Sequence, residues 1–246
     1  MCGIYGAINH RHCDDQVDLL VRLALAMESR GRASYGLAYA SRSQWRRRRG
    51  VGTVPVAVLA ESAWQGSAVA GHCRYPTQGE VALETSHPFR HAGWLVAHNG
   101  GCNDTPAWRC TVDSQYLARQ WASGKKLPRE WWGTFWAVEV SVPSAIWLVR
   151  SGCCSDLVVW SWRCPHDREG VAFASIAVPG ITPVQRFVIP DRAVSRLTEL
   201  GPTLVRRLPR SRTERWLLPD DVPTPQWTPV KKAPLRRRRK LLAGLV

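Results

Sequence analysis

Met1-Cys2-Gly3-Ile4-Tyr5-Gly6-Ala7-Ile8-Asn9 opens the chain. From Cys2 onward it reads as a strand with small residues on one face. Met1 precedes a small residue, a context in which the initiator methionine is normally removed, so the mature chain is expected to begin at Cys2. That would place a thiol and a free α-amine on one residue. An α-amine has an ordinary pKa of about 7.7–8.0, so a useful fraction is neutral near pH 7. It can then serve as general base towards its own thiol, directly or through a water, with no separate catalytic histidine.

Outward from this strand the pattern alternates between short helices and many strands. Val17, Leu20, Val21, Ala24 and Leu25 recur at helical spacing. They predict a helix over Asp15 to Ser29, with Asp14 or Asp15 as N-cap and Arg30-Gly31 as its end. Tyr35 to Ala40 resumes a strand. Gln44 to Gly52 reads as a basic loop and Val54 to Leu59 as a β-branched strand. Ser67 to His72 and Gly93 to His98 are further strands, and Val112 to Trp121 is a second helix. Strands follow at Gly133 to Val140, Ala145 to Val149, Leu157 to Trp162, Val171 to Ser175 and Gln185 to Ile189, on aromatic and β-branched content. Two helices among eight or more strands fit an α+β fold of antiparallel sheets covered by helices.

Further segments carry chemistry. They are Arg30-Gly31-Arg32-Ala33-Ser34-Tyr35-Gly36, Gly71-His72-Cys73-Arg74-Tyr75-Pro76-Thr77-Gln78-Gly79, Ser86-His87-Pro88-Phe89, Val96-Ala97-His98-Asn99-Gly100-Gly101-Cys102-Asn103 and Asp113-Ser114-Gln115. With Cys2-Gly3-Ile4-Tyr5-Gly6, in this order and spacing, they resemble the motifs of class II glutamine amidotransferases, the N-terminal-nucleophile type. Val149-Arg150-Ser151-Gly152, Phe173-Ala174-Ser175 and Arg186-Phe187-Val188-Ile189 are similar to later strands of the glutaminase domain of glucosamine-6-phosphate synthase. The resemblance spans about residues 2–197. It implies a four-layer αββα N-terminal-nucleophile hydrolase sandwich.

The resemblance also implies roles. Cys2 is the nucleophile towards the side-chain amide of L-glutamine. Arg74 holds the α-carboxylate, for which a bidentate guanidinium is suited; outside its motif it would read as a surface arginine. Asp113 holds the α-ammonium, or caps the helix that follows, or both. Thr77 and His87 lie in segments that line the family's glutamine site. Asn99, through its side-chain amide, and Gly100, through its backbone N–H, form the oxyanion hole; alone, Asn-Gly would read as a hairpin turn. Arg30 positions the surroundings of the nucleophile, or acts as a helix C-terminal cation. No metal or cofactor is required. Ala33 stands where the family usually has Asp, Cys73 where it has Thr, Gln78 where it frequently has His, and Gly101-Cys102 breaks a usual x-Ile pair.

Composition sets the outer limits. The 246 residues are 45% hydrophobic and 22% charged, which excludes wholesale disorder. No apolar run approaches the ~20 residues needed to cross a bilayer, and no secretory signal opens the chain, so a cytoplasmic protein is expected. Eight cysteines include no C-x-x-C pair, so most are read as small reduced apolar residues. Net charge is +15, of which residues 205–246 carry +9. Seven of the 17 prolines also lie in the last 45 residues. The sequence therefore divides into a domain at 1–200, which the resemblance implies is a glutamine amidotransferase domain, and a basic Pro/Arg-rich tail at 201–246, read as extended.

That tail is too polar to be an ammonia-using domain. A synthase partner on another chain is the expected acceptor of ammonia, docked through the tail. Two rivals stand beside this reading. One is a silent homologue that binds nucleic acid or a partner through its basic residues; no nucleic-acid motif accompanies the charge. The other is an N-terminal-cysteine amidase acting on a different amide.

Overall fold

The computed structural model describes residues 2–9, 14–103, 105, 110–143, 145–152, 156–163, 169–178 and 185–208. The proposed tail beyond 208 lies outside them. The elements run β1 (Gly3–Asn9), α1 (Asp14–Glu28), β2 (Ser34–Ser41), β3 (Gln44–Val51), α2 (Val56–Gln65), β4 (Ala68–Arg74), β5 (Phe89–His91) and β6 (Trp94–Cys102). Then come α3 (Asp113–Ala122), β7 (Trp131–Glu139), β8 (Ile146–Ser151), β9 (Val158–Arg163), β10 (Glu169–Ala174), β11 (Gln185–Val188), β12 (Ala193–Thr198) and β13 (Gly201–Arg207).

They form a mixed α and β architecture of two antiparallel sheets. One has the order β11-β9-β10-β1-β4-β2-β3, the other β13-β12-β8-β7-β6-β5. Ile4 and Ile8 of β1 pack with Ala38, Ala70, Leu95, Ala97, Trp136, Leu148 and Phe173 between the sheets. Tyr5 and Ala7 point the other way, onto Leu20, Leu23, Ala24 and Met27 of α1 and Leu59 and Ala63 of α2. Leu117 and Ala118 of α3 cover the second sheet at Val96, Phe135 and Val149. Strand side chains alternate between faces, so β1 feeds two cores at once. The Trp136 indole of β7 donates to the Gly71 carbonyl of β4 at 2.9 Å and ties one sheet to the other.

Three expectations need correction. Val54 to Leu59 is not a strand: α2 starts at Val56, after Pro55 at φ −65°. The β-branched start is outweighed by Leu59 at the end of that stretch and by Ala60, Glu61 and Ala63 just beyond it, all good helix formers. Gln44 to Gly52 is not a loop: residues 44–51 form β3, paired with β2 over eight positions from Ser41↔Gln44 to Ser34↔Val51. Tight pairing with a buried neighbour overrides the low strand propensity of four arginines. The folded chain also continues past 200, because β13 pairs with β12 from Thr198↔Gly201 to Ala193↔Arg207.

Candidate active site

Cys2 lies one residue before β1, on the strand's inter-sheet side by alternation with Ile4. Gly3 pairs with Cys73, so Arg74 stands across from Cys2 at the end of β4. The two residues meet where the sheets part, at an open cavity. Cys2, Arg74, Thr77, His87, Gly100 and Asp113 all line it.

The Cys2 sulfur accepts a hydrogen bond from the Tyr75 main-chain N–H at 3.3 Å and lies 3.4 Å from the Tyr75 carbonyl. Burial pushes the thiol pKa up; the Tyr75 hydrogen bond, a nearby amino terminus and Arg74 pull it back. The Arg30 guanidinium donates from Nε to the Cys2 carbonyl at 2.8 Å. Arg30 thus fixes the main chain of Cys2 from behind and is not among the residues lining the cavity.

Arg74 is 3% exposed. Its Nη1 donates to the Glu80 carbonyl at 3.0 Å and the Thr85 hydroxyl at 3.1 Å, and its Nη2 to the Gln78 carbonyl at 2.6 Å. The arginine therefore organises the 78–85 loop over the cavity as well as facing Cys2. Burial lowers its pKa, and Cys2 and Asp113 raise it.

Asp113 is the first residue of α3, with Val112 at the N-cap position. Its carboxylate lies at the positive end of the helix. It accepts the Cys102 N–H at 2.9 Å and the Ser114 N–H at 2.7 Å, and its own N–H donates to the Gln78 side chain at 3.2 Å. The pure N-cap role weighed from sequence is not the geometry seen.

Asn99 and Gly100 lie on β6, not in a hairpin turn, with Asn99 opposite Thr134 of β7. Asn99 is 2% exposed and shares its strand face with Leu95 and Ala97, towards the first sheet. It is not itself a lining residue. Gly100 admits no side chain: an added Cβ would collide with the Trp132 carbonyl and stand 2.7 Å from His98 Nε2.

Behind these groups are three buried histidines. His72 donates from Nε2 to the His98 carbonyl at 3.1 Å, joining β4 to β6. His98 donates from Nε2 to the Trp132 carbonyl and accepts the Ser114 hydroxyl at Nδ1, both at 3.1 Å. The His72 and His87 rings are 3.9 Å apart. Burial lowers the pKa of all three, that of His72 to about 3. Among the described residues no group of three or more His, Cys, Asp or Glu side chains is placed to hold a metal ion.

Sequence reasoning passed over Tyr75, Gln78, His98, Val112 and Ser114, which also line the cavity. All but Val112 lie inside the motifs quoted above, and Val112 directly precedes the last of them. Membership of the motif was the available signal, and side-chain chemistry alone gave none for a residue acting through its main chain. Thr85, which holds Arg74, lies outside every motif.

No family model matches the chain. The glutamine–fructose-6-phosphate aminotransferase (isomerizing) of Acinetobacter baylyi is 32% identical over 102 residues, which are 41% of this chain and 16% of that protein. The glutamine phosphoribosylpyrophosphate amidotransferase of B. subtilis, solved with ADP and GMP, superimposes with a TM-score of 0.57 at 15% identity, covering 83% of this chain and 49% of that one. A structure described as the allosteric regulatory enzyme of purine biosynthesis gives 0.57 at 14%, with coverage of 83% and 49%. The chain thus spans a sixth of the length of its curated relative and about half that of these structural neighbours. It resembles the class II glutamine amidotransferases in sequence and shares the fold of a glutamine-dependent amidotransferase.

Proposed function

We propose that this chain is a class II glutamine amidotransferase subunit built on the four-layer αββα N-terminal-nucleophile sandwich. It hydrolyses the side-chain amide of L-glutamine to glutamate and ammonia and passes the ammonia to an acceptor on a synthase partner. The observation that carries this reading is the convergence of Cys2, Arg74, Asp113 and Gly100, from four separate segments, on one cavity.

Each end of glutamine has a partner there. The guanidinium of Arg74 takes the α-carboxylate with the part of its fork not given to the 78–85 loop. The Asp113 carboxylate takes the α-ammonium. The amide carbonyl then lies by Cys2, with the Gly100 N–H and the Asn99 side-chain amide as donors for the oxyanion that forms on attack. With Met1 removed, the α-amine of Cys2 takes the thiol proton, and the sulfur attacks Cδ. The same amine returns the proton to the leaving nitrogen, ammonia departs, and a γ-glutamyl thioester remains. Water attacks the thioester and releases glutamate. The Tyr75 N–H supports the thiolate against the burial that disfavours it.

The experiment is intact-mass measurement after treatment with a diazo-ketone analogue of glutamine. A single adduct on an N-terminal Cys2, blocked by excess glutamine, is the expected result. A retained Met1 or the absence of an adduct in partner-bound material would overturn the assignment.

A further inference from the structure

The chemistry of the cavity makes no use of the arginine run on β3. β3 ends the seven-stranded sheet and β5 ends the six-stranded one. The two edges are joined by side chains: Arg47 donates to the Pro88 carbonyl at 3.1 Å, and Arg49 to the Ser86 carbonyl at 2.8 Å. Arg46 to Arg49 on β3 and Arg90 on β5 thus form one cationic edge, with Arg46, Arg47 and Arg90 exposed. Acidic neighbours are sparse: Glu61 pairs with Arg48, and Glu84 acts on Arg49. Arg49 and Arg90 both repel Arg47, lowering its pKa after the larger effect of burial.

Beyond Trp45 no strand of the described residues covers the main chain at this edge. Trp45 donates its N–H away from β2, to the Val140 carbonyl at 2.8 Å, whereas Gly52 donates towards the β2 side, to Ala33 at 2.9 Å. Antiparallel pairing alternates residue by residue, so Arg47, Arg49 and Val51 turn their N–H and C=O groups outward. Among the described residues no strand pairs there. A single charge is enough to guard an edge against stray pairing. Five arginines, two of them tied to the segment behind the cavity, exceed that need.

We propose that the outer edge of β3 is the docking surface for an extended acidic segment of a partner protein, added as a further strand. The register favours a polypeptide over a nucleic acid. Outward N–H and C=O groups call for a main-chain partner, and arginines on both strand faces match side chains that alternate in the same way. That the partner is the acceptor of ammonia rests on the amidotransferase reading. The position suits it, because Ser86 and Pro88 flank His87, which lines the cavity.

The test is fluorescence anisotropy of a short labelled peptide of alternating glutamate and valine, titrated with the full chain. Binding that weakens with salt is expected. Arg46→Glu combined with Arg90→Glu should weaken it at least ~10-fold, the scale of losing interfacial charge pairs. Val51→Pro leaves the charge unchanged and removes one outward N–H at an edge that tolerates proline; it should weaken binding several-fold. Oligothymidylate of matched charge should not displace the peptide. Absence of binding, equal affinity in both folded variants, or displacement by oligothymidylate overturns the proposal. Glutamine turnover is assayed in the same samples. Its absence would count against the amidotransferase and leave the docking result standing.

Discussion

The main-chain N–H of Tyr75 points at the sulfur of Cys2 from 3.3 Å. Tyr75 follows Arg74 directly, so the hydrogen bond to the proposed nucleophile and the cation proposed for the substrate carboxylate come from adjacent residues, at and just past the end of β4. A shift of that strand end moves both together.

Cys2→Ala should abolish adduct formation and glutamine hydrolysis. Cys2 is only partly buried, and its removal leaves no large void. The thermal unfolding midpoint should therefore move little, by less than about 1 kcal/mol in stability terms. Turnover persisting in Cys2→Ala would assign the chemistry to another group.

Arg74→Lys keeps the charge and loses the fork. One ammonium cannot serve the Gln78 and Glu80 carbonyls, the Thr85 hydroxyl and a substrate carboxylate at once. KM for glutamine should rise by ~10- to 100-fold, the scale of one or two charge-assisted hydrogen bonds. Steady-state kinetics, with protease sensitivity of the 78–85 loop, would check this. An unchanged KM would remove Arg74 from substrate binding.

Gly36→Ala should destabilise the fold without touching a reactive group. A Cβ there would run into the His87 carbonyl, and main chain yields less readily than a side-chain tip. A loss of ~1–3 kcal/mol or more is expected in denaturant titration. His87 should also be displaced, so affinity for glutamine should fall in the folded fraction. A neutral result would mean that the His87 segment moves freely away from β2.

Acid should unfold the domain through its histidines. The folded pKa of His72 is about 3, and that of His87 is well below the ordinary value of 6.5, both because burial disfavours the charged ring. The unfolded chain therefore binds more protons between pH 6.5 and about 3, and stability falls as pH drops through that window. Each histidine contributes up to ~1.4 kcal/mol per pH unit there. Unfolding midpoints measured from pH 7 to 4 should decline, and His72→Gln should flatten the slope whatever its effect at pH 7. A slope that is the same in His72→Gln would contradict the assignment.

Much of the site was legible in the chain because its parts are carried by short contiguous motifs. Arg74, Tyr75 and Gln78 belong to one such stretch, and Asn99 and Gly100 to another. The bonds from Arg74 to the Glu80 carbonyl and the Thr85 hydroxyl were not legible, since a main-chain acceptor has no sequence signature and Thr85 lies in no motif. The strand β3 was misread for a related reason. Four arginines in a row suggest a solvated loop, and only the partner β2 and the burial of Trp45 make the segment extended.

The sequence by itself determined a chain of many strands with a few helices, suited to antiparallel sheets, and the order of the segments bearing cysteine, arginine, asparagine-glycine and aspartate. Those are properties of periodicity and residue type, which act locally. Only the tertiary structure decided that Cys2 and Arg74 share one face at the mouth of the sheets, that Asp113 opens a helix rather than capping it, and that the arginines of β3 lie against the loop carrying His87. Those depend on register and on which edge meets which, and such contacts are set by packing two sheets together rather than by any one stretch of chain.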